Sequence, residues 1–140
     1  MGILLGSVAV VASYMYDITL PLDVFLQEAE DIESVMLVLR SQGARAFCLM
    51  GDFNTDWQTT DSSMKYLAEQ MKLSVFKPHA DGLSTYGDKG ARLDWILISE
   101  ELEFSRYSVF PDVVSDHSAV AAEIVLKDKS TGSTDRMTNQ

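Results

Sequence analysis

Three things are scarce in this sequence, and each scarcity excludes something. There is one cysteine in 140 residues, which excludes an internal disulfide and any Cys-rich zinc site. Basic residues are few: 11 Lys and Arg stand against 21 Asp and Glu, a formal net charge of −10. A chain this acidic does not grip nucleic acid with a broad basic face. To act on a phosphodiester it needs a metal ion or a few well-placed cations. No apolar run reaches the roughly eighteen residues of a membrane span, so no membrane partner is expected. No segment repeats.

What is present suits one ordinary domain. Hydrophobic residues make up 46% of the chain and aromatics 9%, the proportions of a globular protein with a core. The most apolar stretch is Gly2 to Ala12, GILLGSVAVVA. No Lys or Arg precedes it, as a signal peptide normally requires. A buried strand, or a pair of strands bent at Gly6, is expected ahead of a signal. Gly6 also stands where a myristoylation signal needs Ser or Thr. The lone Cys48 and the weak signal features point to an intracellular protein.

Further along, Pro21 to Ser41 predicts a helix. Phe25, Ala29, Ile32, Met36 and Leu39 step by four and three, drawing one apolar stripe. Asp23 is a candidate N-cap, and Gly43 is placed to end the helix. Glu28, Glu30, Asp31 and Glu33 read as a solvated acidic face. Ala46 to Met50 (AFCLM) reads as a strand buried on both faces, broken at Gly51, with Cys48 as a core residue. A second helix is expected from about Asp61 to Lys72, and a short strand at Val75-Phe76. Tyr86 to Ser99 reads as a hairpin with RLDWILIS as its second strand. Phe104 to Phe110 and Ser118 to Leu126 are further strands. Residues 127–140 are expected to be a disordered polar tail behind a domain at 1–126.

Along RLDWILIS, Leu93, Trp95, Leu97 and Ser99 point one way, and Asp94, Ile96 and Ile98 the other. An acid that shares a face with two isoleucines needs a partner. Polar residues that follow buried strands are rigidly held yet open to solvent. Three such groups occur: Asp52 with Asn54, Asp94, and Asp116-His117. Singly, each has a plain explanation, such as an Asx-turn at Asp52 and Asn54. Together they would bring three carboxylates, a carboxamide and an imidazole to one rim of a sheet. That set suits cleavage of a phosphate ester with a hard divalent cation. Asp94 fits the role of holding one nitrogen of a histidine ring.

GDFN (Gly51 to Asn54), RLDWILIS (Arg92 to Ser99) and SDH (Ser115 to His117), in this order, resemble the endonuclease/exonuclease/phosphatase superfamily. This DNase I-like group includes exonuclease III-type enzymes, inositol polyphosphate phosphatases and the endonuclease domains of non-LTR retrotransposons. The resemblance runs from about Val8 to Leu126. It implies an α/β (α+β) fold: the C-terminal half of a four-layer sandwich, with a β-sheet covered by helices. It implies Mg²⁺ (or Mn²⁺) as cofactor, held here by Asp52, Asn54 and Asp116. Asp52 matches the aspartate that positions the attacking water, and Asn54 its amide partner at the phosphate. Asp94 matches the aspartate bonded to the catalytic histidine, and His117 that histidine. Tyr14 is a possible match to a functional aromatic, although the usual proline is absent.

The family domain is about twice this length. Its first half supplies an Asn and the Glu that is the principal metal ligand, and no Glu here fits that place. The expectation is therefore roughly one sheet with its helices, weak or inactive alone, and partnered by the missing N-terminal half. The sequence after GDFN and the compact STYGDKGARLDWIL look closer to the nuclease and retroelement branch. Nucleic acid is thus the expected substrate, DNA ahead of RNA, with Lys89, Arg92 and Trp57 as candidate contacts. Surface or packing roles for these three stand ahead of contact. The alternatives are a truncated, non-catalytic remnant or interaction module, and a phosphatase acting on a phosphorylated small molecule.

Overall fold

The computed structural model describes residues 2–5, 8–14, 22–58, 63–87, 90–111 and 115–128. The apolar N-terminal stretch forms two antiparallel strands, β1 (Gly2–Leu5) and β2 (Val8–Tyr14), with Gly2 opposite Val11. The bend at Gly6 lies outside the described residues. Helix α1 (Leu22–Ser41) follows. Ala29, Ile32, Met36 and Leu39 are buried, as their spacing requires. The helix begins at Leu22, so Asp23 stands within its first turn and not at the cap position. Its end at Ser41 is followed by a turn at Gly43, whose φ of 102° is a conformation that side chains with a Cβ avoid.

Strand β3 (Ala46–Asp52) runs through Gly51 where the sequence suggested a break. Partners on both sides explain this: Gly51 pairs with Ser13 of β2 and with Trp95 of β5 (Asp94–Ser99). Helix α2 (Ser63–Met71) buries Met64, Leu67 and Ala68. Its expected start at Asp61 lies outside the described residues. Strand β4 (Leu73–Val75) stops before Phe76. Strand β5 begins at Asp94, two residues later than expected. Its ladder partners are β3 and β4, and the Tyr86 segment contributes only an isolated bridge to Ala91. The five strands stand in the order β1-β2-β3-β5-β4, parallel only between β2 and β3 among the described pairs.

The expectation of one sheet is corrected. Strands β6 (Leu102–Phe110) and β7 (Ala119–Leu126) form a second, antiparallel sheet. Alternation along β3 and β5 builds a separate core on each face of the first sheet. Phe47, Leu49, Trp95 and Leu97 face the helices and pack on Met36, Leu39, Met64 and Leu67. Ala46, Cys48, Ile96 and Ile98 face the other way and pack with Leu102, Phe104, Val120 and Ile124 of the second sheet. The result is a mixed α/β layering of helices, sheet and sheet. Of the expected tail, Lys127 and Asp128 are described and residues 129–140 are not.

Candidate active site

The two-residue period of the strands decides where the polar groups fall. Asp52 continues the face of Cys48 and Met50, and Asp94 that of Ile96 and Ile98, so both acids reach the end of the gap between the sheets. They are directly paired across the ladder, and Asp52 is also in register with Tyr14. Tyr14, Asp52 and Asp94 thus form one rung across three strands. His117 arrives from the second sheet, just before β7.

Asp94 finds its partner there. His117 Nδ1 lies 2.7 Å from Asp94 Oδ2, and Nε2 lies 3.8 Å from Asp52 Oδ2. With Nδ1–H donating to Asp94, Nε2 is left on the side of Asp52. Asp52 Oδ1 accepts the Asn54 amide at 2.9 Å, the Asx-type bond expected of this turn, and Asn54 has a φ of 51°. The His117 amide donates to Ser115 Oγ at 3.1 Å. The Tyr86 ring stands 4.7 Å from the imidazole, tilted by 47°.

Electrostatics follow from this crowding. Burial holds the Asp52 carboxyl above its ordinary value; the charges of Asp94 and Asp116 add to this, against the pull of the Asn54 amide and His117. For His117, burial alone lowers the pKa. The hydrogen bond and charge of Asp94, with the charges of Asp52 and Asp116, outweigh it and leave the imidazole above its ordinary value.

Asp52, Asp94 and His117 offer ligand atoms all within 4.8 Å of one another. Asp116 is exposed beside them, and its charge reaches Asp52 and His117. Glu30, Glu33 and Glu69 lie exposed on the helices, away from the rim. Arg92 is 5% exposed: its guanidinium lies 3.9 Å from the Trp95 ring centre and donates to Lys77 O and Tyr107 Oη. Trp57 packs beside Trp95. Lys89 lies outside the described residues. Two residues that sequence reasoning passed over are Thr85 and Tyr86. Their signal was a hydroxyl and an aromatic just ahead of the Gly-rich turn into β5.

No family model matches the sequence, and no curated protein matches it. Solved structures do. A family protein from Bacteroides thetaiotaomicron superposes with a TM-score of 0.67 at 19% identity, over 91% of this chain and 52% of that one. The chain carries the endonuclease/exonuclease/phosphatase fold. A mannosyl-6-phosphatase of the same organism shares this fold at a TM-score of 0.63 and 21% identity, over 84% and 51% of the two chains. The human nocturnin catalytic domain, solved with bound sulfate, shares it at 0.59 and 19%, over 86% and 46%. The chain spans about half the length of these structures, and the shared part of the fold is its C-terminal portion.

Proposed function

We propose that these residues serve metal-dependent hydrolysis of a phosphate ester, with nucleic acid, DNA ahead of RNA, as the substrate. The contact of 2.7 Å between Asp94 and His117, with Asp52 beside it, carries the reading. A half-buried loop histidine with a purely structural role has no need of a carboxylate drawn from the face of a buried strand. The donors are oxygen-rich, which fits a hard cation, Mg²⁺ or Mn²⁺. Asp52 is the carboxyl that such a cation relieves, since burial, and after it the charges of Asp94 and Asp116, push it up. Asp52, Asn54 and Asp116 are the proposed holders. A bound cation supplies neutralisation of the phosphate and stabilisation of the leaving oxygen.

The chain's own groups do the rest. Asp52 orients the attacking water and takes its proton. Asp94 keeps the proton on Nδ1 of His117, so that Nε2 presents to the phosphoryl oxygens or passes a proton. Asn54 steadies the phosphate through its side-chain amide. The strands that complete the fold, on this chain or another, are the proposed partner.

A second reading, a phosphorylated small molecule as substrate, has one observation in its favour. Arg92 is buried against Trp95, which removes one of the three candidate nucleic-acid contacts, and Trp57 is half-buried beside the same ring. The test is calorimetric Mn²⁺ binding to this chain, with cleavage of abasic DNA and of a simple phosphomonoester followed in Mg²⁺ once the strands that complete the fold are supplied. The expected outcome is cation binding that weakens in Asp52→Ala, and cleavage that falls about 10²–10⁴-fold in His117→Ala. Preference between the two substrates separates the readings. No cation binding at Asp52 and no cleavage of either substrate would sink both.

A further inference from the structure

Thr85 belongs to no strand or helix, yet it is 1% exposed. Its hydroxyl oxygen accepts two consecutive amides, Leu93 N at 3.0 Å and Asp94 N at 3.1 Å. Its carbonyl accepts the amide of Ser118, the residue after His117, at 2.7 Å, and its own amide donates to Ala91 O at 2.9 Å. The next residue, Tyr86, forms a bridge with His117 and sets its ring against the imidazole. Thr85 therefore ties down the backbone on both sides of the Asp94–His117 contact, whose members are 23 residues apart.

A threonine that merely filled space could be replaced by valine, which has the same shape. What valine lacks is the oxygen that receives the amide of Asp94 itself. Without it, two half-buried amides lose a partner and the start of β5 is freed to shift. A contact of 2.7 Å does not survive a displacement of even 1 Å in good geometry. We propose that Thr85 is a positioning residue, whose hydroxyl and carbonyl together hold Asp94 and His117 in register. That this serves hydrolysis rests on the function proposed above; that it holds the pair does not.

The experiment uses the full chain, free of divalent cations, and reads the His117 tautomer from imidazole ¹⁵N shifts where the ring is neutral. Amide exchange at Leu93 and Asp94 is measured on the same samples. The unsubstituted protein and Thr85→Ser are expected to hold the proton on Nδ1. Thr85→Val is expected to show a mixture of tautomers and about tenfold faster exchange at the two amides. Thr85→Val with the original tautomer and original protection would overturn the proposal. So would a folded Thr85→Ser that loses the tautomer, since serine keeps the hydroxyl and drops only the methyl. Thr85→Ser decides the matter if the valine variant does not fold. The readout needs neither cation nor substrate. A protein with the Nδ1 tautomer and no hydrolysis would thus count against the hydrolase reading alone.

Discussion

His117 sits among three carboxylates, and substitution can separate their influence. Because its folded pKa is raised, its charged form adds stability that is fully present below the ordinary value of about 6.5. That stability is lost as pH rises through the higher folded value. Asp94→Asn removes the strongest of the raising contacts while keeping the side chain's shape. The imidazole of this variant is expected to titrate lower in an NMR pH series. The stability gap between it and the parent is expected to narrow as pH climbs through the parent's midpoint. An unchanged midpoint would transfer the effect to Asp52 and Asp116. Cys48 gives the opposite case, since burial pushes its thiol up to about 11. At pH 8 its thiolate fraction is about one in a thousand, so thiol reagents should label it slowly until denaturant is added. Fast labelling of the native protein would contradict its place in the core.

Among the elements, β5 holds the structure together. Trp95 and Leu97 close the core beneath the helices, while Ile96 and Ile98 close the core between the sheets. Leu97 is wholly buried, and Leu37 on the outer side of α1 is 60% exposed. Leu97→Ala is expected to cost about 2–5 kcal/mol in urea unfolding, and Leu37→Ala to stay within about 0.5 kcal/mol. Equal losses would mean that the outer side of α1 is covered in solution. The buried runs and helical stripes were legible from the sequence because each carries its own period. Passage of β3 through Gly51 was not, since it depends on pairing with residues 38 before and 44 after it. Separation of β6 and β7 into a second sheet was equally hidden, because strand pairing leaves no mark on a half-buried strand. The motifs made Asp52, Asp94 and His117 visible. Thr85 was invisible, as a buried hydroxyl reads in sequence like any other loop threonine.

For the molecule as a whole, charge sets the terms of any encounter with a polyanion. At −10 the surface repels DNA at long range, and its approach must be local and cation-mediated. Oligonucleotide binding without divalent cation is therefore expected to be immeasurable near 0.15 M salt, and not to strengthen steeply on dilution of the salt. A steep inverse dependence would reveal a hidden basic face. The two sheets also set the two ends of the molecule apart. A cavity of about 660 Å³ lies between the helix C-termini, lined by Arg40, Arg45, Lys72 and Ser99. It sits at the far end of β5 from Asp94.

The rung formed by Tyr14, Asp52 and Asp94 makes the site fragile in an unusual direction. Each acid owes its place to counting along a strand, and a strand sends alternate residues to opposite faces. Inserting or deleting one residue in the first half of β3 or in the middle of β5 would turn an acid towards the helices. Hydrophobic residues could still find a core on either face. Such a length change therefore keeps the architecture and takes apart the Asp52–Asp94 pair, with every motif letter still in place.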